Sequence, residues 1–153
     1  MQGLKKSHRN LPHWELGGSV YFITFNSVHN NLTAEALKIV LDTIKHDHRR
    51  KYRLYIALAM PDHVHLIIQP LQINETEYYT TAEIMKSIKG VSARRINDML
   101  GSKGTVWQAE SFDRIIRNEQ EFLEKWNYIT NNPLKSGLVD EAEKYEFVIV
   151  PNS

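Results

Sequence analysis

The sequence predicts an α+β domain on the ferredoxin-like split βαβ plan: an antiparallel sheet with helices on one face, extended by an additional C-terminal helix. Three observations predict it. Strand and helix periodicities follow one another in the order β-α-β-β-α-β-α. Two of the strands, 53–60 and 63–69, are separated only by Pro61-Asp62, a short turn. A last helical segment carries an apolar stripe at Phe122, Trp126 and Ile129. With 153 residues and no internal repeat, the chain reads as a single domain. Its parts are a basic N-terminal arm (1–19), a tyrosine-bearing helix (118–132) and a tail (140–153).

Each element has its own signal. Val20-Tyr21-Phe22-Ile23-Thr24-Phe25 is rich in aromatic and β-branched residues and reads as a strand. Thr33 can cap a helix whose Leu37, Val40, Leu41 and Ile44 form one stripe, and its basic end from His46 to Lys51 suits the negative helix terminus. A polar loop, Gln72 to Tyr79, follows Pro70. Residues 81–100 are helical in pattern, but the stripe Ile84, Ile88 restarts as Ala93, Ile96, Leu100 after Gly90, which predicts a kink or register change. Gly101 and Gly104 end that segment. A fourth strand lies within Val106 to Arg117. Asn118 caps the last helix, expected to end near Asn131 because Pro133 follows. Phe147 to Val150 either adds an edge strand or packs as coil.

Composition excludes several classes. No apolar run is long enough to span a membrane, and the basic N-terminus is followed by no apolar signal core, so a cytoplasmic location is expected. The absence of cysteine excludes disulfides and thiolate zinc sites. The formal net charge is only +1, yet it is segregated: 1–10, 45–53 and 86–103 are locally basic, while 140–146 is acidic. Such segregation can present a basic face to a polyanion, although any single run also fits a solvated helix face.

The chemistry gathers in two places. His63 and His65, within Met60-Pro61-Asp62-His63-Val64-His65-Leu66-Ile67-Ile68, stand on one face of a strand, with Val64, Leu66 and Ile68 on the other. Two neutral imidazoles side by side make half of a divalent-metal site. Tyr128 and Asn132 are one helical turn apart, beside the apolar stripe, on the rim between core and solvent. A phenol attacks poorly at neutral pH unless its target is made more electrophilic. A metal on His63 and His65 can polarise a phosphodiester, with Asn132 adding an oxygen ligand. The neutral shell suits Mg²⁺ or Mn²⁺ held weakly until phosphate oxygens complete it. Asn132 is the weak link, because a residue before proline is biased away from helix. A rim tyrosine that merely packs its ring is the plainer alternative.

Together these residues resemble the REP-associated tyrosine transposases, within the single-tyrosine group of the His-hydrophobic-His (HUH) endonucleases. The match runs from Leu11-Pro12-His13-Trp14 and Tyr21 to Phe25 through the histidine motif. It continues in Ser87-Ile88-Lys89-Gly90, Ala93-Arg94-Arg95-Ile96-Asn97, Val106-Trp107-Gln108 and Glu110-Ser111-Phe112-Asp113-Arg114. It closes with Ile116-Arg117, Tyr128-Ile129 and Asn132-Pro133-Leu134-Lys135-Ser136-Gly137-Leu138-Val139. The resemblance implies a metal-dependent endonuclease and strand transferase acting on single-stranded DNA near hairpins. By it, His63 and His65 hold the metal, Asn132 is the third ligand, and Tyr128 forms a 5′-phosphotyrosine bond while freeing a 3′-hydroxyl. The tail, Tyr145 to Ser153, diverges from the family pattern.

DNA contacts are expected from Lys5, Lys6, Arg9, His13 and Trp14 on a hairpin stem or unpaired base, and from Lys89, Arg94, Arg95 and Lys135 on phosphates. Trp107 and Phe112 are either stacking residues or core, and Asp113 with Arg114 can tie the fourth strand to the last helix. The family implies either a monomer or a homodimer. Two other readings compete: a catalytically weak hairpin-binding regulator of the same fold, and an RNA-binding module, which lacks here the expected Gly-Phe-Gly-Phe signature.

Overall fold

The computed structural model describes residues 11, 12, 14 and 17–152; Lys5, Lys6, Arg9 and His13 lie outside them. The described elements are β1 (Val20–Ser27), α1 (Ala34–His46), β2 (Tyr52–Met60), β3 (His63–Pro70), α2 (Thr81–Leu100), β4 (Trp107–Ile116), α3 (Glu119–Lys135) and β5 (Val148–Ile149). The sheet order is β4-β1-β3-β2-β5, and every pairing is antiparallel. The first four strands therefore realise the split βαβ plan. The tail supplies a short edge strand on β2, helped by Ala59 N–H donating to Phe147 O and Tyr145 Oη donating to Ala59 O.

Helices cover both faces of the sheet. α1 and α2 pack on one face over Ile23, Phe25, Val64, Leu66 and Ile68, all fully buried. α3 packs on the other through Phe122, Trp126 and Ile129 against Phe22, Tyr55, Ile56, Leu58 and Ile67. That second layer decides where the histidines sit. Alternation along β3 sends His63, His65 and Ile67 toward α3.

Local chemistry sets the helix ends. Thr33 Oγ1 accepts from Ala36 N–H, Thr80 and Glu83 form a capping box, and Asn118 Oδ1 accepts from Glu121 N–H. Gly101, at φ 64°, ends α2 in the left-handed region that glycine enters freely.

Two expectations are corrected. Gly90 causes no break: α2 is one helix, and its buried stripe runs Ile84, Ile88, Ser92, Ile96 at a constant spacing of four. Counting only apolar residues hides Ser92. Its hydroxyl donates to Ile88 O at 2.6 Å and accepts from Trp107 Nε1 at 2.9 Å, so a polar residue serves as core. Nor does Pro133 stop α3, which continues to Lys135. The proline ring is buried as the next member of the Phe122, Trp126, Ile129 stripe, and Asn132 O still accepts Ser136 N–H at 3.0 Å. Burial outweighs the pre-proline bias there, and Asn132 stays helical.

Candidate active site

β3 begins immediately after the Pro61-Asp62 turn, so His63 stands at the mouth of the hairpin and His65 one pleat deeper. Their ring centroids are 4.7 Å apart. α3 crosses this face and brings Tyr128, whose ring centroid lies 5.4 Å from that of His65. Asn132, one turn on, places Oδ1 2.9 Å from His63 Nε2. The helix axis thus delivers the two residues that sequence periodicity puts side by side, and it delivers both to the histidine pair.

His65 is 3% exposed, and its Nδ1 lies 2.8 Å from Thr24 Oγ1 on the neighbouring strand β1. Its Nε2 is buried and makes no hydrogen bond to a described atom. If Nδ1–H donates to Thr24, Nε2 carries a bare lone pair beside Asn132. Burial, then the proximity of His63, push the His65 pKa down to about 4, with the Asn132 side chain opposing part of the shift. The ring is neutral at physiological pH, the form a metal requires. Phe22 stacks against it, with centroids 5.6 Å apart and planes 23° from parallel.

His63 is held differently. Its Nδ1 is 2.6 Å from Asp62 Oδ1, a carboxylate–imidazole contact that fixes ring orientation and directs the other nitrogen inward. Among the described residues no group of three or more His, Cys, Asp or Glu gathers around a common point. The set here is two imidazoles and one amide oxygen. An orphaned buried nitrogen, a second ring oriented by a carboxylate and an amide oxygen between them are donors that fit a divalent cation with open positions. Thr24 and Asp62 are the positioning residues that the sequence reading missed. Asp62 was visible as the neighbour of His63, but Thr24 required the β1–β3 register, in which it pairs with His65.

Tyr128 is half exposed at 50%, with its ring edge-on to Phe22 at 6.0 Å. The hydroxyl end is therefore reachable while the ring is braced.

The other expected contacts separate. Trp14 is exposed. Arg94 and Lys135 are exposed, and among the described residues neither takes part in an ion pair. Lys89 turns inward: Nζ donates to the carbonyls of Gln108, Ala109 and Glu110 on β4 at 3.0–3.2 Å. Desolvation lowers its pKa. Arg95 bonds Thr43 Oγ1 at 2.8 Å and pairs with Asp42 at 3.0 Å, tying α2 to α1. Trp107 is buried against Phe25, whereas Phe112 is exposed. Asp113 and Arg114 make no salt bridge to α3 among the described residues: Thr81 Oγ1 is 3.4 Å from Asp113, and Arg114 lies against Phe112. No helix of the described residues is long and apolar enough to cross a membrane.

Comparison with known proteins agrees with this arrangement. The profile of the family described as "Transposase IS200 like" matches residues 23–132, a span that includes both histidines, Tyr128 and Asn132. An uncharacterized protein of Haemophilus influenzae is 32% identical over 97 residues, covering 50% of this chain and 52% of that protein. The chain thus spans about half the length of that curated relative. Among solved structures, a REP-associated tyrosine transposase bound to a REP hairpin superposes with a TM-score of 0.69 at 21% identity, over 86% of this chain and 76% of that one. A candidate transposase from Deinococcus radiodurans R1 gives 0.54 at 20% identity, over 75% and 91%. At those identities the structural likeness speaks for the fold alone.

Proposed function

The chain belongs to the IS200-like transposase family, and on that premise we propose that it cuts and rejoins single-stranded DNA near hairpins through a covalent bond to Tyr128. The observation that carries the proposal is convergence: His63, His65 and Asn132 meet at one point of the sheet, with the half-exposed Tyr128 ring against them. His63, His65 and Asn132 would hold a divalent cation, Mg²⁺ or Mn²⁺. When bound, that cation supplies Lewis-acid polarisation of the phosphate and so makes a weak phenol nucleophile sufficient.

The protein's own groups do the rest. The Tyr128 oxygen forms a bond to phosphorus as the bond from phosphorus to the 3′ oxygen breaks. The phenolic proton passes to solvent, and the departing 3′ oxygen takes a proton to become a hydroxyl. The phosphodiester is retained as a 5′-phosphotyrosine, so a 3′-hydroxyl can reverse the step and reseal a strand. Bracing of the tyrosine ring by Phe22 keeps the hydroxyl near one position, which lowers the orientational cost of attack. α3 packs on the sheet of its own chain and brings Tyr128 to the histidines of that chain, which supports attack in cis. The hairpin bound by the structurally similar REP-associated transposase makes hairpin DNA the first substrate to try.

The test is covalent capture. Protein is incubated with Mn²⁺ and a labelled single-stranded oligonucleotide carrying a hairpin from its own gene's flanks, then run on a denaturing gel. A slow band is expected, absent in Tyr128→Phe and with chelator. A band that persists in Tyr128→Phe would defeat the proposal.

A further inference from the structure

Phe112 is the exposed aromatic residue of β4, a strand whose middle residues are largely open to solvent. It is 53% exposed, although strand alternation places it on the α3 side, in the same cross-strand row as Thr24 and His65. Its ring leans edge-on against Phe22, centroids 6.4 Å apart, and Phe22 in turn braces both Tyr128 and His65. The outer face stays open because α3 covers the sheet through Phe122, Trp126 and Ile129, over β1, β2 and β3 rather than over the centre of β4. Two cations flank the rings. The Arg114 guanidinium lies 5.7 Å from the Phe112 ring, and Lys125 Nζ lies 5.3 Å from the Phe22 ring. Among the described residues neither cation takes part in an ion pair, so an exposed ring lies beside two cations available to an anionic ligand.

We propose that Phe112, with Arg114, is a stacking platform for an unpaired base of the DNA strand whose backbone runs to Tyr128. A half-exposed ring offers a π face to any base, and an adjacent guanidinium can neutralise the phosphate of the same nucleotide. Position fits this role. Phe112 and His65 are two strands apart on one row, about 10 Å between backbones, within reach of a few nucleotides. Lys125 and Arg114 edge the path between, so the strand would cross β1 with its phosphates on the cations and one base on Phe112. This inference rests on the reading of the site as a single-strand DNA cutter and names the surface that holds the strand in register.

The test uses the full chain and a fluorescein-labelled oligonucleotide from the gene's own flanks, a hairpin with an unpaired arm, in versions carrying one abasic site at each arm position. Affinity is read by anisotropy and folding by thermal melting. Phe112→Ala and Phe112→Leu should each weaken binding by roughly 5- to 150-fold with the melting midpoint unchanged, while Phe112→Trp retains affinity. One abasic position should weaken the wild type as much as Phe112→Ala does, and should add nothing further to that variant. Affinity within twofold of wild type for Phe112→Ala, or equal loss in Phe112→Trp, overturns the platform, as does failure of every oligonucleotide to bind. The two readings fail separately. An intact Tyr128 adduct with unaltered Phe112→Ala binding sinks only the platform, whereas a Phe112-dependent affinity without any adduct sinks only the covalent step.

Discussion

Thr24→Val removes one hydroxyl and keeps the side-chain shape, and it isolates what positioning contributes at this site. In the native chain Thr24 Oγ1 sits 2.8 Å from His65 Nδ1 and is, among the described residues, the hydrogen-bond partner of that nitrogen. Valine leaves Nδ1 unpaired in a ring that is 3% exposed. Loss of a part-buried hydrogen bond costs about 1 kcal/mol of folding stability, which lowers the melting midpoint of a domain of this size by about 2–4 °C. The functional cost should be larger. Without the Thr24 hydroxyl the tautomer whose Nε2 lone pair faces Asn132 loses its support at Nδ1, and loss of such an outer contact weakens metal binding by about 10- to 100-fold. Stability would be measured by thermal melting in chelator, and Mn²⁺ affinity by titration calorimetry with a hairpin oligonucleotide present. Thr24→Ser should restore both. Wild-type Mn²⁺ affinity in Thr24→Val, or rescue of neither quantity by serine, would refute a positioning role for Thr24.

Two further outcomes follow from the same geometry. His65 accepts a proton near pH 6.5 when unfolded but resists it to about pH 4 when folded. The unfolded chain therefore holds more protons across that window, and stability must fall as pH drops through it, by up to about 1.4 kcal/mol per unit. Urea unfolding in chelator should show this slope, and it should flatten in His65→Asn. Lys89→Met should lower stability but leave the salt dependence of DNA binding unchanged, because its ammonium already serves three β4 carbonyls. A slope reduced by about 0.7 would instead mark Lys89 as a phosphate contact.

Most of the architecture was legible because it rests on local periodicity. Alternation in β3 put His63 and His65 on one face, and the i, i+4 spacing put Tyr128 beside Asn132. What the sequence concealed was tertiary. Ser92 looks polar in a helix pattern, yet Trp107 lies 15 positions further along the chain and makes it core. Pro133 looks like a stop, yet its ring completes a buried stripe. Lys89 and Arg95 stand in a basic run, and the sequence does not show that each also bonds the fold, one to the β4 edge and one to Asp42. Thr24 looks like an ordinary strand residue until the register sets it against His65. No alternation rule reveals which face a third helix will cover. For that reason the sequence leaves the face of the additional helix unassigned, whereas in the structure α3 packs over the histidine face.

The most direct measurement is to map the covalent bond. Protein captured on the Mn²⁺-dependent hairpin substrate is digested with nuclease and trypsin, and its peptides are read by mass spectrometry. A nucleotide phosphate is expected on the peptide Trp126 to Lys135, whose single tyrosine is Tyr128. A nucleotide on any other residue would contradict attack by Tyr128, as would cleavage of the substrate with no nucleotide retained on the protein.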